Sequence, residues 1–246
     1  MAGLVFIDAK WDGNIELDKK TLDYLKQNKV KSVSLFASVQ FLDVKKIVDQ
    51  LKKLNIKVMI TKAKRTNSSI QILGCDCYND SFKENILSDS DMIIYVGDGL
   101  FHPKALLLAQ IGYKDIKPVL LYNPISQSMC ILDKKELIKE MNRMKRNLKM
   151  FVNAQTVGIL VTIKFGQQYL NRALELKKYL EKQGKKTYIF IDNNIDFKEF
   201  DNFTFVDVWV NSACPRIGID DIVNLAKPLI NIKDAFNPIK ALNKLT

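Results

Sequence analysis

Short apolar runs alternate with segments of helical spacing along the first half of the chain. The runs are rich in β-branched residues and predict strands at 4–7, 33–37, 57–61, 91–96 and 118–122. Apolar residues recur at three- and four-residue spacing, as in amphipathic helices, over 18–27, 39–54 and 104–111. Alternation of this kind is typical of a parallel sheet covered by helices, so we predict an α/β fold.

The second half repeats this pattern. It predicts strands at 157–162, 186–191, 206–210 and 228–232, with helices at 167–183, ending at Gly184, and at 219–225. Lys117-Pro118-Val119-Leu120 resembles Lys227-Pro228-Leu229-Ile230, which indicates an internal duplication. We therefore predict two similar domains, each a parallel sheet flanked by helices. They span 1–130 and 131–246, and a connecting helix over about 131–150 enters the second.

Composition and charge narrow the class of protein. Of the 246 residues, 47% are hydrophobic and 26% charged, as in ordinary globular proteins. No run of about 18 apolar residues occurs, so we predict no membrane span. Asp8 and the lack of a basic segment before it favour a first strand over a signal peptide, so a cytoplasmic protein is expected. A net charge of +11 fits either a polyanionic partner or solvated lysine faces.

Cysteines at strand ends are the first candidates for chemistry. Cys75 follows Gly74, and Cys214 follows the predicted strand at 206–210 and precedes Pro215-Arg216. The carboxyl ends of strands hold the sites of open α/β sheets, and cysteines kept reduced favour metal binding or catalysis over disulfides. Small buried hydrophobic side chains remain the alternative. The Cys75-x-Cys77 spacing is a weak metal signal, and Cys130 matches no motif.

Glycine-rich turns follow two of the predicted strands. Gly97-Asp98-Gly99 leads to His102, the only histidine, which could bind an anion, carry a proton or close the turn. Gly166-Gln167 follows the strand at 157–162 and opens a helix. In the repeat alignment, 97–99 and 211–214 occupy the same corner after a strand. The dinucleotide, P-loop, zinc-protease, serine-hydrolase and kinase motifs do not occur.

Taken together and in order, these motifs resemble a known enzyme family. They are Gln71-Ile72-Leu73-Gly74-Cys75, the 97–103 segment GDGLFHP, Lys117–Leu120 with Asn123-Pro124, Gly158–Thr162 with Gly166-Gln167, and Ala213-Cys214-Pro215-Arg216. This set is similar to the 2-(3-amino-3-carboxypropyl)histidine synthases, which carry out the first step of diphthamide synthesis. The resemblance covers nearly the whole chain.

The resemblance implies a cofactor and a reaction. Family members are implied to have three similar α/β domains, each giving one cysteine to a 4Fe-4S cluster that leaves one iron open for S-adenosylmethionine. A 3-amino-3-carboxypropyl radical then modifies a histidine of translation elongation factor two. Carried over, Cys75 and Cys214 would be metal ligands. Gly97, Asp98, Gly99, His102, Gly166 and Gln167 would line the cofactor pocket, and no catalytic residue is assigned.

One departure from the family pattern shapes the expected assembly. The resemblance starts at the family's second domain, so the first domain and its cysteine are not matched. We expect a separate chain to supply them; local substitution by Cys77 and loss of the radical chemistry are the alternatives. The family implies a homodimer as a further partner. A catalytically inactive accessory protein that binds elongation factor two or the translation machinery is the competing function.

Overall fold

Two sheets carry the fold. The computed structural model describes residues 9–221 and 225–245, and in them the chain forms one five-stranded and one four-stranded sheet. The chain divides between these sheets into two compact units, Met1–Leu137 and Ile138–Thr246. The strand predicted at 4–7 lies outside the described residues. The expected α/β architecture, with two parallel-rich sheets flanked by helices, is confirmed.

The first unit is built on a sheet of order β2-β1-β3-β4-β5. Its strands are β1 (Ser32–Ala37), β2 (Lys57–Met59), β3 (Met92–Val96), β4 (Val119–Asn123) and β5 (Ser128–Leu132), and its helices α1 (Lys19–Gln27), α2 (Lys45–Lys53) and α3 (Phe101–Leu108). β1 to β4 are parallel, whereas β5 pairs antiparallel with β4. β1 and β3 are buried along almost their whole length, as expected for central parallel strands.

The second unit has the order β7-β6-β8-β9, and all four strands are parallel. They are β6 (Thr156–Thr162), β7 (Lys186–Asp192), β8 (Val208–Asn211) and β9 (Leu229–Asn231), with helices α4 (Ile138–Asn153), α5 (Leu170–Lys182), α6 (Ile232–Ala235) and α7 (Pro238–Asn243). Trp209 is fully buried, and the rings of Phe190 and Phe200 pack against it at centroid distances of 4.9 and 4.4 Å. Gly158 lies under the indole, where an added Cβ would come within 2.4 Å of the ring.

Several predicted boundaries were wrong. Residues 128–132 form β5, so the connecting helix begins at Ile138 rather than near 131. The predicted helix over 39–54 is split: a short 3₁₀ turn buries Phe41, and α2 starts at Lys45. The helix predicted at 219–225 is described only as far as a π-helical turn, Ile217–Asp221, and 222–224 lie outside the described residues.

The pairing registers reveal the duplication residue by residue. Ser32 pairs with Lys57 in the first unit as Thr156 pairs with Lys186 in the second. The same alignment makes Asp91 of the first unit equivalent to Asp207 of the second. Each of these carboxylates accepts two backbone N–H groups at the start of the neighbouring strand in its own unit.

Continued along β3 and β8, this register makes Tyr95 equivalent to Asn211. Three residues further on, Asp98 is equivalent to Cys214. Both therefore stand in the same corner after a strand, within their own units.

Candidate functional site

The turn after β3 requires glycine at two positions. Gly97 donates its N–H to the carbonyl of Tyr122 at 2.9 Å, and an added Cβ would lie 2.5 Å from the hydroxyl of Tyr95. Gly99 has φ +63°, in the left-handed region that L side chains rarely adopt. Asp98, between them, is exposed. The turn therefore presents bare backbone and one carboxylate at the carboxyl end of the sheet.

His102 lies in the first turn of α3, directly after this loop. Its ring is half-buried and stacks near that of Tyr95, with centroids 6.1 Å apart and planes 17° apart. Phe101 meets it edge-on at 5.5 Å. Burial raises the pKa of the Tyr95 phenol, so this neighbour stays neutral. Helix α3 begins at Phe101 rather than at the predicted 104, which places His102 inside the helix.

The Cys75 loop packs onto this turn. The residues just before Cys75 run beside the end of β1. The N–H of Ala37 donates to the carbonyl of Ile70 at 2.8 Å, and the N–H of Ile72 donates to the carbonyl of Ala37 at 3.2 Å. An added Cβ on Gly74 would come within 1.8 Å of the Phe101 ring. Cys75 therefore lies at the same edge of the first unit as the glycine turn and His102, and its side chain is partly exposed.

A buried carboxylate closes the Cys75 loop. Asp76 is 1% exposed, accepts the N–H of Leu73 at 2.8 Å and donates its own N–H to the Leu73 carbonyl at 2.9 Å. Burial raises the pKa of Asp76, while this hydrogen bond and the charge of Arg65 oppose the shift. Cys77 is 2% exposed and belongs to the core of the loop. Only Cys75 of this pair is presented to the surface.

The Cys214 loop follows β8 at the carboxyl end of the second sheet. Both the N–H and the hydroxyl of Ser212 donate to the carbonyl of Leu160 on β6, at 3.0 and 2.7 Å. Cys214 is partly exposed, and Arg216 behind it is buried and pairs with Asp220. The loop is therefore anchored on both sides of the cysteine.

Gly166 and Gln167 lie in the turn after β6. Gly166 has φ +75°, and Gln167 donates its N–H to the carbonyl of Lys164 at 3.0 Å. Because β6 and β8 are parallel neighbours, this turn and the Cys214 loop leave the same edge of the sheet. Phe165, beside the glycine, is 76% exposed.

The predicted residues thus form one group in each unit. Cys75, Gly97, Asp98, Gly99 and His102 share an edge of the first, and Cys214, Gly166 and Gln167 share an edge of the second. Cys130 is exposed on β5, paired with Leu121, and belongs to neither group.

Each unit presents one partly exposed thiol of the kind that iron–sulfur clusters use as a ligand. Both partly exposed thiols lie on loops that the sheets hold in place, as a thiolate ligand needs. Within 9–221 and 225–245, no three His, Cys, Asp or Glu side chains come together as a metal site.

Sequence reasoning missed the residues that hold these loops. Asp76, Ser212 and an amide pair formed by Asn211 and Asn231 carry the hydrogen bonds. Asp76 and Ser212 lie next to the cysteine motifs, and this position in the sequence could have suggested their supporting role. Asn231 lies 20 residues beyond Asn211, and only the strand pairing reveals it.

Comparison with known proteins identifies relatives along almost the whole chain. Residues 4–243 match the family described as "Putative diphthamide synthesis protein". The 2-(3-amino-3-carboxypropyl)histidine synthase of Methanocaldococcus jannaschii is 30% identical over 198 residues, covering 76% of this chain and 53% of the relative. That of Pyrococcus horikoshii is 27% identical over 164 residues, 67% of this chain and 44% of the relative.

A solved structure has the same fold. It is Dph2 from Pyrococcus horikoshii with a 4Fe-4S cluster, 22% identical, with a TM-score of 0.67 over 92% of this chain and 62% of that one. The chain thus spans roughly half the length of these relatives. No helix in the described part of the chain is long and apolar enough to cross a membrane.

Proposed function

The chain belongs to the diphthamide synthesis protein family, and from this premise we propose that it acts in the first step of diphthamide synthesis. The reaction transfers a 3-amino-3-carboxypropyl group from S-adenosylmethionine to a histidine of translation elongation factor two. The names of the relatives describe this product. The observation that carries the proposal is that each unit has one partly exposed cysteine on a loop at the carboxyl edge of its sheet, Cys75 in the first and Cys214 in the second.

Cys75 and Cys214 are the proposed ligands of a 4Fe-4S cluster. Such a cluster is held by cysteine thiolates, which can come from separate loops, and the solved Pyrococcus protein carries one. In this proposal the two units correspond to the family's second and third domains, and a third thiolate comes from polypeptide outside these 246 residues. The cluster, when bound, supplies the electron that cleaves a carbon–sulfur bond of S-adenosylmethionine.

The glycine turns suit the binding of a small charged substrate. Gly99 exposes backbone before α3 and Gly166 does so after β6, while the buried Gly97 lets the turn pack closely over Tyr95. Asp98 is exposed and offers a carboxylate to the positive sulfonium or amino group of S-adenosylmethionine. His102 and Gln167 offer polar groups at the same edges. These side chains bind and orient the substrate in the proposal.

Transfer of label from S-adenosylmethionine, labelled in its carboxypropyl group, to elongation factor two tests the proposed function. The chain is co-expressed with a first-domain polypeptide from the family and assayed anaerobically with a reductant. We expect transfer with wild type and with Cys130→Ala, and none with Cys75→Ala or Cys214→Ala. Transfer that persists in either of these two variants would refute the ligand assignment.

A non-catalytic role in binding the translation machinery is the second candidate, favoured by the net charge of +11. Helix α4 displays part of this charge through the exposed Lys139, Arg146 and Lys149. This role predicts binding to elongation factor two or to ribosomes that weakens steeply with salt and is indifferent to Cys75→Ala and Cys214→Ala.

A further inference from the structure

Two asparagines on neighbouring strands form a buried amide pair beside the Cys214 loop. Asn211 ends β8 and Asn231 ends β9, and the two are partners in the register of these strands. They are 1% and 4% exposed. The Asn211 amide nitrogen donates to the Asn231 side-chain oxygen at 2.8 Å, so the pair forms one continuous unit.

The pair forms hydrogen bonds with one backbone group of each of three consecutive residues, Ala213, Cys214 and Pro215. The Asn211 side-chain oxygen accepts the N–H of Ala213 at 3.0 Å, and its nitrogen donates to the carbonyl of Cys214 at 2.8 Å. The Asn231 nitrogen donates to the carbonyl of Pro215 at 2.9 Å. The orientation of both amides follows from chemistry, because the Ala213 N–H can only donate and the two carbonyls can only accept.

Neighbouring residues reinforce this restraint. Pro215 restricts the backbone of Cys214 to extended conformations. Gly218 leaves room for the pair, since an added Cβ there would lie 2.4 Å from the Asn231 side-chain oxygen. The Cys214 backbone is thus held from both strands while its side chain stays partly exposed.

The duplicated unit provides an internal comparison. By register, Tyr95 and Leu121 occupy the positions of Asn211 and Asn231 in the first unit. The corner that they flank carries Asp98 in place of Cys214. The amide pair therefore occurs in the unit whose corner carries a cysteine, and not at the equivalent positions of the other unit.

We propose that Asn211 and Asn231 are positioning residues that fix the direction of the Cys214 thiol, an inference that rests on the proposed ligand role of Cys214. A ligand held before the metal arrives loses less conformational freedom on binding. Two amides achieve this without bringing a charge near the thiolate. These hydrogen bonds join protein atoms only, so the same restraint acts in the cluster-free chain.

Alkylation of Cys214 by iodoacetamide measures the restraint directly in the cluster-free chain. The rate is read by peptide mass spectrometry at fixed pH, with the exposed Cys130 as internal reference. Asn231→Leu removes the bonds to Asn211 and to Pro215. Loss of one buried hydrogen bond raises the population of an opened loop about fivefold, so we expect Cys214 to react at least about fivefold faster.

Asn147→Leu is the matched control. Asn147 is also buried in the second unit, and its amide donates to the carbonyl of Leu229 on β9 at 3.0 Å, away from the Cys214 loop. We expect a similar fall in Tm without faster alkylation of Cys214. If Asn231→Leu does not fold, Gly218→Ala displaces the same amide by contact and carries the same expectation.

A Cys214 rate in the folded variant within twofold of that in Asn147→Leu overturns the inference and leaves the pair a purely structural role. Because the chain contains no cluster in this experiment, its outcome is separate from that of the proposed function. If the wild-type chain failed to bind a cluster, the proposed function would be refuted, whereas the effect of Asn231→Leu on the alkylation rate of Cys214 would be unaffected.

Discussion

Two equivalent aspartates offer a direct test of the duplicated architecture. Asp91 accepts the N–H groups of Lys31 and Ser32, both at 2.9 Å, at the start of β1. Asp207 accepts those of Gln155 and Thr156 at 3.0 and 2.7 Å, at the start of β6. We predict that alanine at either position destabilises its own unit to a similar extent.

The magnitude follows from the geometry. Each carboxylate accepts two backbone N–H groups at the start of a strand, as an aspartate does at a helix N-cap, where replacement by alanine costs about 1 kcal/mol. Hydrogen bonds to charged groups contribute more when buried, but both carboxylates are exposed to competing water. We therefore expect each substitution to lower the free energy of unfolding by ~1–2 kcal/mol.

Asp91 adds a pH dependence of defined sign. The backbone hydrogen bond from Lys31 is the main cause that lowers its pKa below the ordinary value, with Ser32 and the charge of Lys117 contributing. A carboxyl with a lowered pKa in the folded state stabilises above its unfolded pKa, and this stabilisation disappears as acid protonates it. The difference between wild type and Asp91→Ala should therefore shrink as the pH falls below about 4.

Hydrogen exchange measured by mass spectrometry at increasing urea gives the free energy of unfolding of each unit separately. Peptides from β3 report on the first unit and peptides from β8 on the second. Asp23→Ala and Glu175→Ala are the controls, because each removes one carboxylate of an exposed ion pair in the same unit. Two results would contradict this prediction. One is a fall in the free energy of unfolding no larger than that of the control variants, and the other is a fall for Asp91→Ala that does not depend on pH.

Three further predictions concern packing, helix ends and thiol chemistry. Gly158→Ala should cost ~1–3 kcal/mol and perturb Trp209 fluorescence, since the added methyl group overlaps the indole; an unchanged urea midpoint would contradict this. Lys185→Met should lower the stability of the second unit by ~1–2 kcal/mol, because its ammonium donates to the carbonyls of Phe151, Val152 and Ala154 at the C-terminal end of α4. Exposed Lys149→Met should change little in the same thermal melt. Partial desolvation by neighbouring groups and the charge of Glu136 raise the pKa of Cys130, so Glu136→Gln should speed its alkylation at pH 8. An unchanged alkylation rate would exclude a contribution from the Glu136 charge.

The strands and their loops were predictable because buried parallel strands are continuous apolar runs. The equivalence of the 97–99 and 211–214 corners emerged from the same pattern, and the pairing registers agree with it. Residues 128–132 gave no comparable signal: SMCIL alternates between exposed and partly buried positions on an edge strand, with only Leu132 buried, and such a segment can equally begin a helix. Only pairing with β4 decides between the two.

The supporting residues of the site depend on contacts that local sequence does not encode. Asn231 looks like an ordinary polar residue after a short strand, and its role appears only when β8 and β9 pair in register. Gly74 appears in the sequence as a flexible residue, whereas the structure shows that it leaves space for the Phe101 ring. The candidate ligands were thus predictable from motifs, but the residues that hold them required the fold.

Anaerobic measurement of bound iron and sulfide tests whether Cys75 and Cys214 are ligands of a 4Fe-4S cluster. The chain is reconstituted together with a polypeptide that supplies the first domain of the family, and wild type is compared with Cys75→Ala, Cys214→Ala and the control Cys130→Ala. We expect a bound cluster in wild type and in Cys130→Ala, and no cluster in Cys75→Ala or Cys214→Ala. Iron retained after removal of Cys75 or Cys214, or none above background in wild type, would contradict it.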